Sequence, residues 1–267
     1  MITFLSDFGL EDDFVGTCHG VIKRIAPDAD VIDITHGIAP QSILQGALVL
    51  ANTLPFMPEG VHIAVVDPEV GTPRRALVLR TTDGRLLVGP DNGLLLPAAE
   101  RVGGIEAAHE ITNRRYALEP VSSTFHGRDV FSPAAAHLAL GLDPAELGDA
   151  VAEDDLVRLE IPQPEIGERR VRATCLYVDR FGNIQLNLNA KQIEPLGIVP
   201  GRRVEVELAL DRFYALAART FADNTVGEII LYEDAYQNIA LAIARGNAAE
   251  TFGVKAGTEV RLRVESE

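Results

Sequence analysis

The 267-residue sequence predicts an N-terminal α/β sheet domain followed by a small C-terminal antiparallel β-barrel domain. Strand and helix signals alternate over residues 1–160, which favours a largely parallel sheet with helices on its faces. After the stretch Ile161-Pro162-Gln163-Pro164-Glu165-Ile166-Gly167, only short strand signals recur. A third observation points to where a ligand binds. Apolar, β-prone runs end on Asp7, Asp67 and Asp179, each with a glycine close behind. A carboxylate at the carboxyl end of a buried strand stands where open α/β sheets form their ligand crevice, and the glycine permits a sharp turn there.

Ile2 to Ser6 reads as the first strand. Asp12-Asp13 then caps a helix whose apolar face is Phe14, Cys18, Val21, Ile22 and Ile25, and Pro27 ends it. Val31 to Ile34 is a strand. Pro40 opens a second helix with the stripe Ile43, Leu44, Ala47, Leu48 and Ala51, closed by Pro55. Strands follow at Val61 to Val66, Ala76 to Leu79 and Leu86 to Val88, the last two joined by the Asp83-Gly84 turn. Ser132-Pro133 starts a helix that runs to Gly141, with Ser132 as its cap. This half is expected to be Rossmann-like. A linker over 161–168 leads to strands at Val171 to Val178, Val204 to Leu208, Glu228 to Tyr232, Ile239 to Ala244 and Val260 to Val264. They make the barrel domain, 169–267, and no internal repeat is visible.

Composition narrows the function. Thirty-nine acidic against 24 basic residues give a formal charge of −15, and no basic stripe exists to neutralise phosphates, so nucleic acid is not the expected partner. Cys18 and Cys175 lie far apart, outside any Cys-x-x-Cys pair, which speaks against a disulfide framework or structural zinc. The opening residues read as a strand, so no leader is expected, and no run is long enough to span a bilayer. A cytoplasmic protein without membrane partners is expected.

Asp67, Arg74 and His126 supply a base, a fixed cation and a titratable ring, which together can hold and polarise a water molecule. No Gly-x-Ser-x-Gly elbow supports serine chemistry. A hard cation among Asp7, Asp12, Asp67, Asp91 and His126 is the rival, but neither His-x-His nor His-Glu-x-x-His spacing appears. His19, His36, His62, His109 and His137 read as structural, and Cys18 as packing.

Six motifs occur in order: Ser6-Asp7-Phe8-Gly9-Leu10-Glu11-Asp12, Val65 to Arg74, Gly89-Pro90-Asp91-Asn92-Gly93, Thr124-Phe125-His126-Gly127-Arg128-Asp129, Asp179-Arg180-Phe181-Gly182-Asn183 and Arg245-Gly246-Asn247-Ala248-Ala249. Across essentially the whole chain the sequence resembles the S-adenosylmethionine hydrolases (hydroxide adenosyltransferases), whose halogenating relatives are the fluorinase and chlorinase. The resemblance implies an α/β domain, a β-barrel and a homotrimer with substrate bound at subunit interfaces. It also implies displacement of methionine from ribose C5′ by water or hydroxide, with no cofactor or metal. It maps the water-activating set onto Asp67, Arg74 and His126, the ribose-diol carboxylate onto Asp7, and the methionine-amine carboxylate onto Asp179. Asn183 and Asn247 match the adenine-edge contacts, and Phe181 and Phe221 the apolar walls. Asp12, Asn92, Phe125, Tyr232 and Arg245 complete the expected substrate-binding set.

The chain departs from the fluorinase, which has tyrosine in place of Asp67, tyrosine-serine in place of His126-Gly127, and an extra loop where only the Arg80-to-Arg85 turn stands. A hydrolase is therefore expected. A halogenating enzyme and a non-catalytic binder of adenosine or S-adenosylmethionine are the alternatives. Glu69 stands where glycine is usual in the family.

Overall fold

The computed structural model describes residues 1–209, 211–220 and 225–264. The chain divides into two compact units, Met1–Glu160 and Ile161–Glu267. In the first, strands β1 (Ile2–Ser6), β2 (Val31–Thr35), β3 (Val61–Val65), β4 (Ala76–Thr81), β5 (Leu86–Pro90) and β6 (Ile105–Glu110) form one sheet. Their order is β2-β1-β3-β5-β4-β6. β1 pairs in parallel with β2 and β3, and β3 with β5, whereas β4 runs antiparallel to both its neighbours.

Alternation along the strands divides the sheet's side chains between two cores. Ile2, Phe4, Ile63, Val65 and Val88 face Cys18 and Ile22 of α1 (Phe14–Ile25) and Ala134, Ala135 and Leu138 of α4 (Ser132–Ala139). Leu5, Ala64, Val66, Leu79 and Leu87 face Ala47, Leu50 and Ala51 of α2 (Ile43–Thr53) and Ala98 and Ala99 of α3 (Leu96–Arg101). Helices thus cover both faces.

One helix start and two helix caps differ from expectation. α2 starts at Ile43, because Gln41 has φ +65° and cannot continue a helix from Pro40. Ser132 caps nothing: a π-type turn, Gly127–Phe131, runs directly into α4, and the buried Ser132 hydroxyl donates to the carbonyl of Gly127 at 2.7 Å. Asp13 holds the cap position of α1 but spends its carboxylate on the Thr17 hydroxyl, 3.1 Å away.

The second unit is a barrel. Strands β8 (Arg170–Val178), β9 (Ile184–Leu186), β10 (Arg203–Leu208), β11 (Asp211–Ala217), β12 (Ile229–Glu233), β13 (Ile239–Ile243) and β14 (Glu259–Arg263) run in the order β14-β10-β11-β12-β13-β9-β8, and β14 pairs with β8 to close it. Closure removes sheet edges. β11 and β12 pair in parallel and the other neighbours antiparallel. Part of the expected linker is itself a strand: β7 (Glu165–Ile166) pairs with the outer side of β8. Every second residue of β8, β10 and β14 points inward, among them Val171, Ala173, Val204, Val206, Val260 and Leu262. The short helices α5 (Ala190–Ile193) and α6 (Ala248–Phe252) lie on connections. Among the described residues, no helix is long and apolar enough to cross a membrane.

Leu262 is fully buried on the closing strand. Leu262→Ala is expected to destabilise the barrel by about 2–5 kcal/mol, read in denaturant unfolding as an earlier barrel transition.

Candidate active site

β1, β3 and β5 are neighbours that run in parallel, and their carboxyl ends carry Asp7, Asp67 and Asp91. From β1 the sheet extends to β2 on one side and to β3 on the other, so Asp7 and Asp67 flank a topological switch point, where such sheets open a crevice. The Asp7 N–H donates to the Val65 carbonyl at 3.4 Å, which ties the two strand ends together. Asn92 is buried and its amide serves the backbone: Nδ2 donates to the Val66 carbonyl at 2.8 Å, and Oδ1 accepts from Leu94 N–H at 3.2 Å. The residue immediately before Asp67 is thereby pinned from the side.

The segment after Asp67 folds back through two turns, Val70 N–H to Asp67 carbonyl (3.3 Å) and Thr72 N–H to Glu69 carbonyl (3.1 Å). Gly71 enables this: its φ is +83°, and an added Cβ would lie 2.3 Å from the Ser123 carbonyl oxygen. The fold-back returns Arg74 to Asp67. Arg74 Nε donates to both carboxylate oxygens at 3.0 Å, Nη2 donates to Oδ2, and both side chains are about 5% exposed. The guanidinium also stands 5.3 Å from the centroid of the Phe131 ring.

The same Nη2 lies 2.8 Å from His126 Nδ1. Arginine only donates, so Nδ1 must accept, and the ring proton resides on Nε2. His126 is thus a neutral imidazole that presents an N–H rather than a lone pair beyond the array. Burial pushes its pKa below the ordinary 6.5 and the Arg74 charge adds to this, outweighing the upward pull of Asp67 and Asp129.

Phe125 belongs to an aromatic set with Phe8 and Phe14, with centroids 5.1–5.9 Å apart. An added Cβ on Gly127 would lie 2.9 Å from Phe8 Cζ, so a serine at that position needs the Phe8 ring to move. Asp7 Oδ2 accepts from Gln41 N–H at 2.8 Å. Asp12 and Glu69 are exposed. Asp91 is bound inward, by Arg75 Nε at 2.8 Å and Val157 N–H at 3.0 Å.

In the barrel unit, Asp179 closes the β8–β9 hairpin. Its Oδ1 accepts from Phe181 N–H (2.8 Å) and Asn183 N–H (2.9 Å), and its Oδ2 from the Asn183 amide (2.7 Å). Asn247 caps α6 through Glu250 N–H at 2.9 Å and lies against Gly182, joining the two barrel motifs. Arg245 is exposed and itself has φ +58°. Tyr232 is half-buried. Burial raises its hydroxyl pKa, and the charges of Asp179 and Asp234 raise it further. Phe221 lies outside the described residues. A repeat that the sequence reading missed appears here. Asp234 closes the β12–β13 hairpin with the same bonds, accepting from Tyr236 N–H (2.8 Å) and Asn238 N–H (2.9 Å). The signal was the spacing Asp-x-Phe-x-Asn against Asp-x-Tyr-x-Asn.

Two family models match the chain: the SAM hydroxide adenosyltransferase N-terminal domain over residues 2–148 and the C-terminal domain over residues 173–261. The chain belongs to the SAM hydroxide adenosyltransferase family. It is 46% identical to the (R)-S-adenosyl-L-methionine hydrolase of Salinispora tropica over 98% of this chain and 97% of that one. The protein of the same name from Thermus thermophilus is 41% identical, over 98% of each chain. The fluorinase of Nocardia brasiliensis is 28% identical, over 99% of this chain and 97% of that one. A crystal structure of an uncharacterized conserved protein from Thermotoga maritima superposes with a TM-score of 0.91 at 36% identity, covering 98% of this chain and all of the other. The hydroxide adenosyltransferase models cover both units, and the Asp67–Arg74–His126 array lies within the first of them.

The tautomer can be checked directly. In NMR titration His126 should titrate below 6.5 with its proton on Nε2, and Arg74→Ala should raise that pKa, since removing the cation relieves the charged ring. A wild-type value at or above 6.5 would contradict this geometry.

Proposed function

We propose that this protein hydrolyses S-adenosyl-L-methionine to adenosine and L-methionine, by in-line attack of water or hydroxide on ribose C5′. The Asp67–Arg74–His126 array carries the reading, because it is an assembled device for an oxygen nucleophile. The sulfonium sulfur leaves with the C5′–S bonding pair as a neutral thioether, so no acid is needed on that side. Water forms the C5′–O bond and loses one proton. Asp67, with oxygen lone pairs left over by Arg74, accepts that proton; the His126 Nε2–H and the Arg74 charge stabilise the hydroxide-like oxygen. His126 is therefore a donor in this step and not its base. Asn92 acts as a positioning residue through Val66, and Asp7 receives the ribose hydroxyls.

The same chemistry leaves the configuration at sulfur open. The relatives' name specifies the R sulfonium, and we extend that preference to this chain. At C5′ the two epimers present the same in-line geometry, so discrimination falls on the groups that hold the methionine portion, Asp179 above all. Assays with separated R and S epimers should favour R. Label from oxygen-18 water should enter the adenosine 5′-hydroxyl, and molar chloride should yield no 5′-chloro-5′-deoxyadenosine. A halogenated nucleoside, or binding without adenosine release, would overturn the assignment. Asp67→Ala, Arg74→Ala and His126→Ala should each lose about 10²–10⁴-fold in turnover, non-additively.

The quaternary arrangement proposed is a homotrimer whose pockets combine Asp7 and Asp67 of one chain with Asp179 and Asn183 of the next. Its support is that the ligand loops expose large apolar side chains, Leu10 at 75% and Phe181 at 74%, which a neighbouring chain or substrate would cover. Subunit exchange between Asp67→Ala and Asn183→Ala variants should restore part of the activity. No recovery despite proven exchange would place the pocket within one chain.

A further inference from the structure

Beyond the reaction site, three side chains from separate elements converge at the edge of the first sheet. His19 lies within α1, Asp33 on the edge strand β2, and His36 just past that strand. His19 Nε2 is 2.8 Å from Asp33 Oδ1, His36 Nε2 is 3.1 Å from the same oxygen, and the three donor atoms lie within 4.8 Å of one another. We propose that His19, Asp33 and His36 bind one divalent transition-metal ion of the zinc type.

Hydrogen bonding alone explains His19 but not His36. The His36 side chain is 2% exposed, and its Nε2, although 3.1 Å from Asp33 Oδ1, makes no hydrogen bond among the described residues. A buried ring nitrogen left so is costly in a native fold. Its other nitrogen is engaged: Nδ1 is 2.7 Å from the Ser6 hydroxyl. With Nδ1–H donating to Ser6 Oγ, the Nε2 lone pair is turned toward Asp33 and His19, the arrangement in which metal-binding histidines are usually held. Phe4 fixes the floor, edge-on to His36 at 4.8 Å and 6.2 Å from the His19 ring.

Two imidazoles and one carboxylate match zinc, cobalt or nickel, whereas magnesium and calcium take oxygen ligands. Ligands at about 2.0–2.2 Å in a tetrahedron stand roughly 3.3–3.5 Å apart. The two nitrogen–oxygen separations must therefore open by a few tenths of an ångström, which the part-exposed His19 and Asp33 side chains permit. A water would complete the tetrahedron. His36 also accepts Gly9 N–H at its carbonyl (2.8 Å), and Ser6 receives Phe8 N–H (3.2 Å), so a bound ion would stiffen the Ser6–Gly9 segment that carries Asp7.

The inference does not depend on the reaction proposed above, and its test reads metal and not turnover. Tag-free, chelator-treated full-length protein is titrated with Zn²⁺ by calorimetry, with Mg²⁺ as control. One Zn²⁺ per chain should bind with a rise in Tm, and Co²⁺ should give visible absorption of a low-coordinate nitrogen–oxygen site. His19→Ala and Asp33→Asn, both part-exposed and checked for folding by circular dichroism, should each weaken Zn²⁺ binding at least tenfold. No saturable Zn²⁺ binding, or wild-type affinity in both variants, would overturn the proposal and leave an ordinary carboxylate–imidazole cluster.

Discussion

The guanidinium of Arg74 grips Asp67 along one edge and meets His126 Nδ1 with the same Nη2. An ion pair this far from solvent is worth keeping only when its geometry is near ideal, since desolvation of each partner costs several kcal/mol. The surrounding structure supplies that geometry. Gly71 lets the segment double back, Asn92 anchors Val66, Phe131 receives the guanidinium face, and β1 and β3 are tied at Asp7. Removing one partner strands the other as a buried charge, so variants at Asp67 or Arg74 touch stability as well as chemistry, and fold must be measured beside rate.

That pair also changes how water is told from halide. A bare carboxylate 4 Å from an anion in a medium of effective dielectric 20 repels it by about 4 kcal/mol. Arg74 lies directly on Asp67, so the two charges largely cancel at a distance. On the proposed reading discrimination rests instead on short range. Carboxylate lone pairs can accept from water and have nothing to offer chloride. At the neighbouring position, Gly127 abuts the Phe8 ring, leaving no room for a serine hydroxyl unless that ring moves. Tyrosine for Asp67 alone would not reproduce a halide site in this chain.

Periodicity and punctuation made most of the fold legible. The strand ends at Asp7, Asp67 and Asp179 stood out because apolar runs stop abruptly on a charge. What escaped was weakly patterned or non-local. Strand β6, with the sequence Ile-Glu-Ala-Ala-His-Glu, alternates poorly, and its pairing with β4 is what makes it a strand. The three-residue β9 is too short to carry a period. The role of Asn92 depends on a carbonyl 26 positions away, and the His19–Asp33–His36 cluster on a helix, a strand and a loop that only the fold brings together. That Asp67, Arg74 and His126 belong together was readable through their motifs. The tautomer of His126 was not, because it follows from one interatomic contact with Arg74.

The chemistry of the leaving group explains why one array suffices. A sulfonium departs as a neutral thioether, so proton handling is confined to the nucleophile's side of C5′. A histidine kept neutral by burial and by a neighbouring cation is a poor acid for a leaving group and a good fixed donor to an incoming oxygen. The barrel's Asp179 is correspondingly static: two backbone N–H groups and the Asn183 amide fix both its oxygens. Such a carboxylate suits holding an ammonium at one distance and direction while chemistry proceeds elsewhere. On the proposed reading the two units divide the work by sign and mobility of charge, activation of water in the sheet domain and orientation of the cationic chain in the barrel.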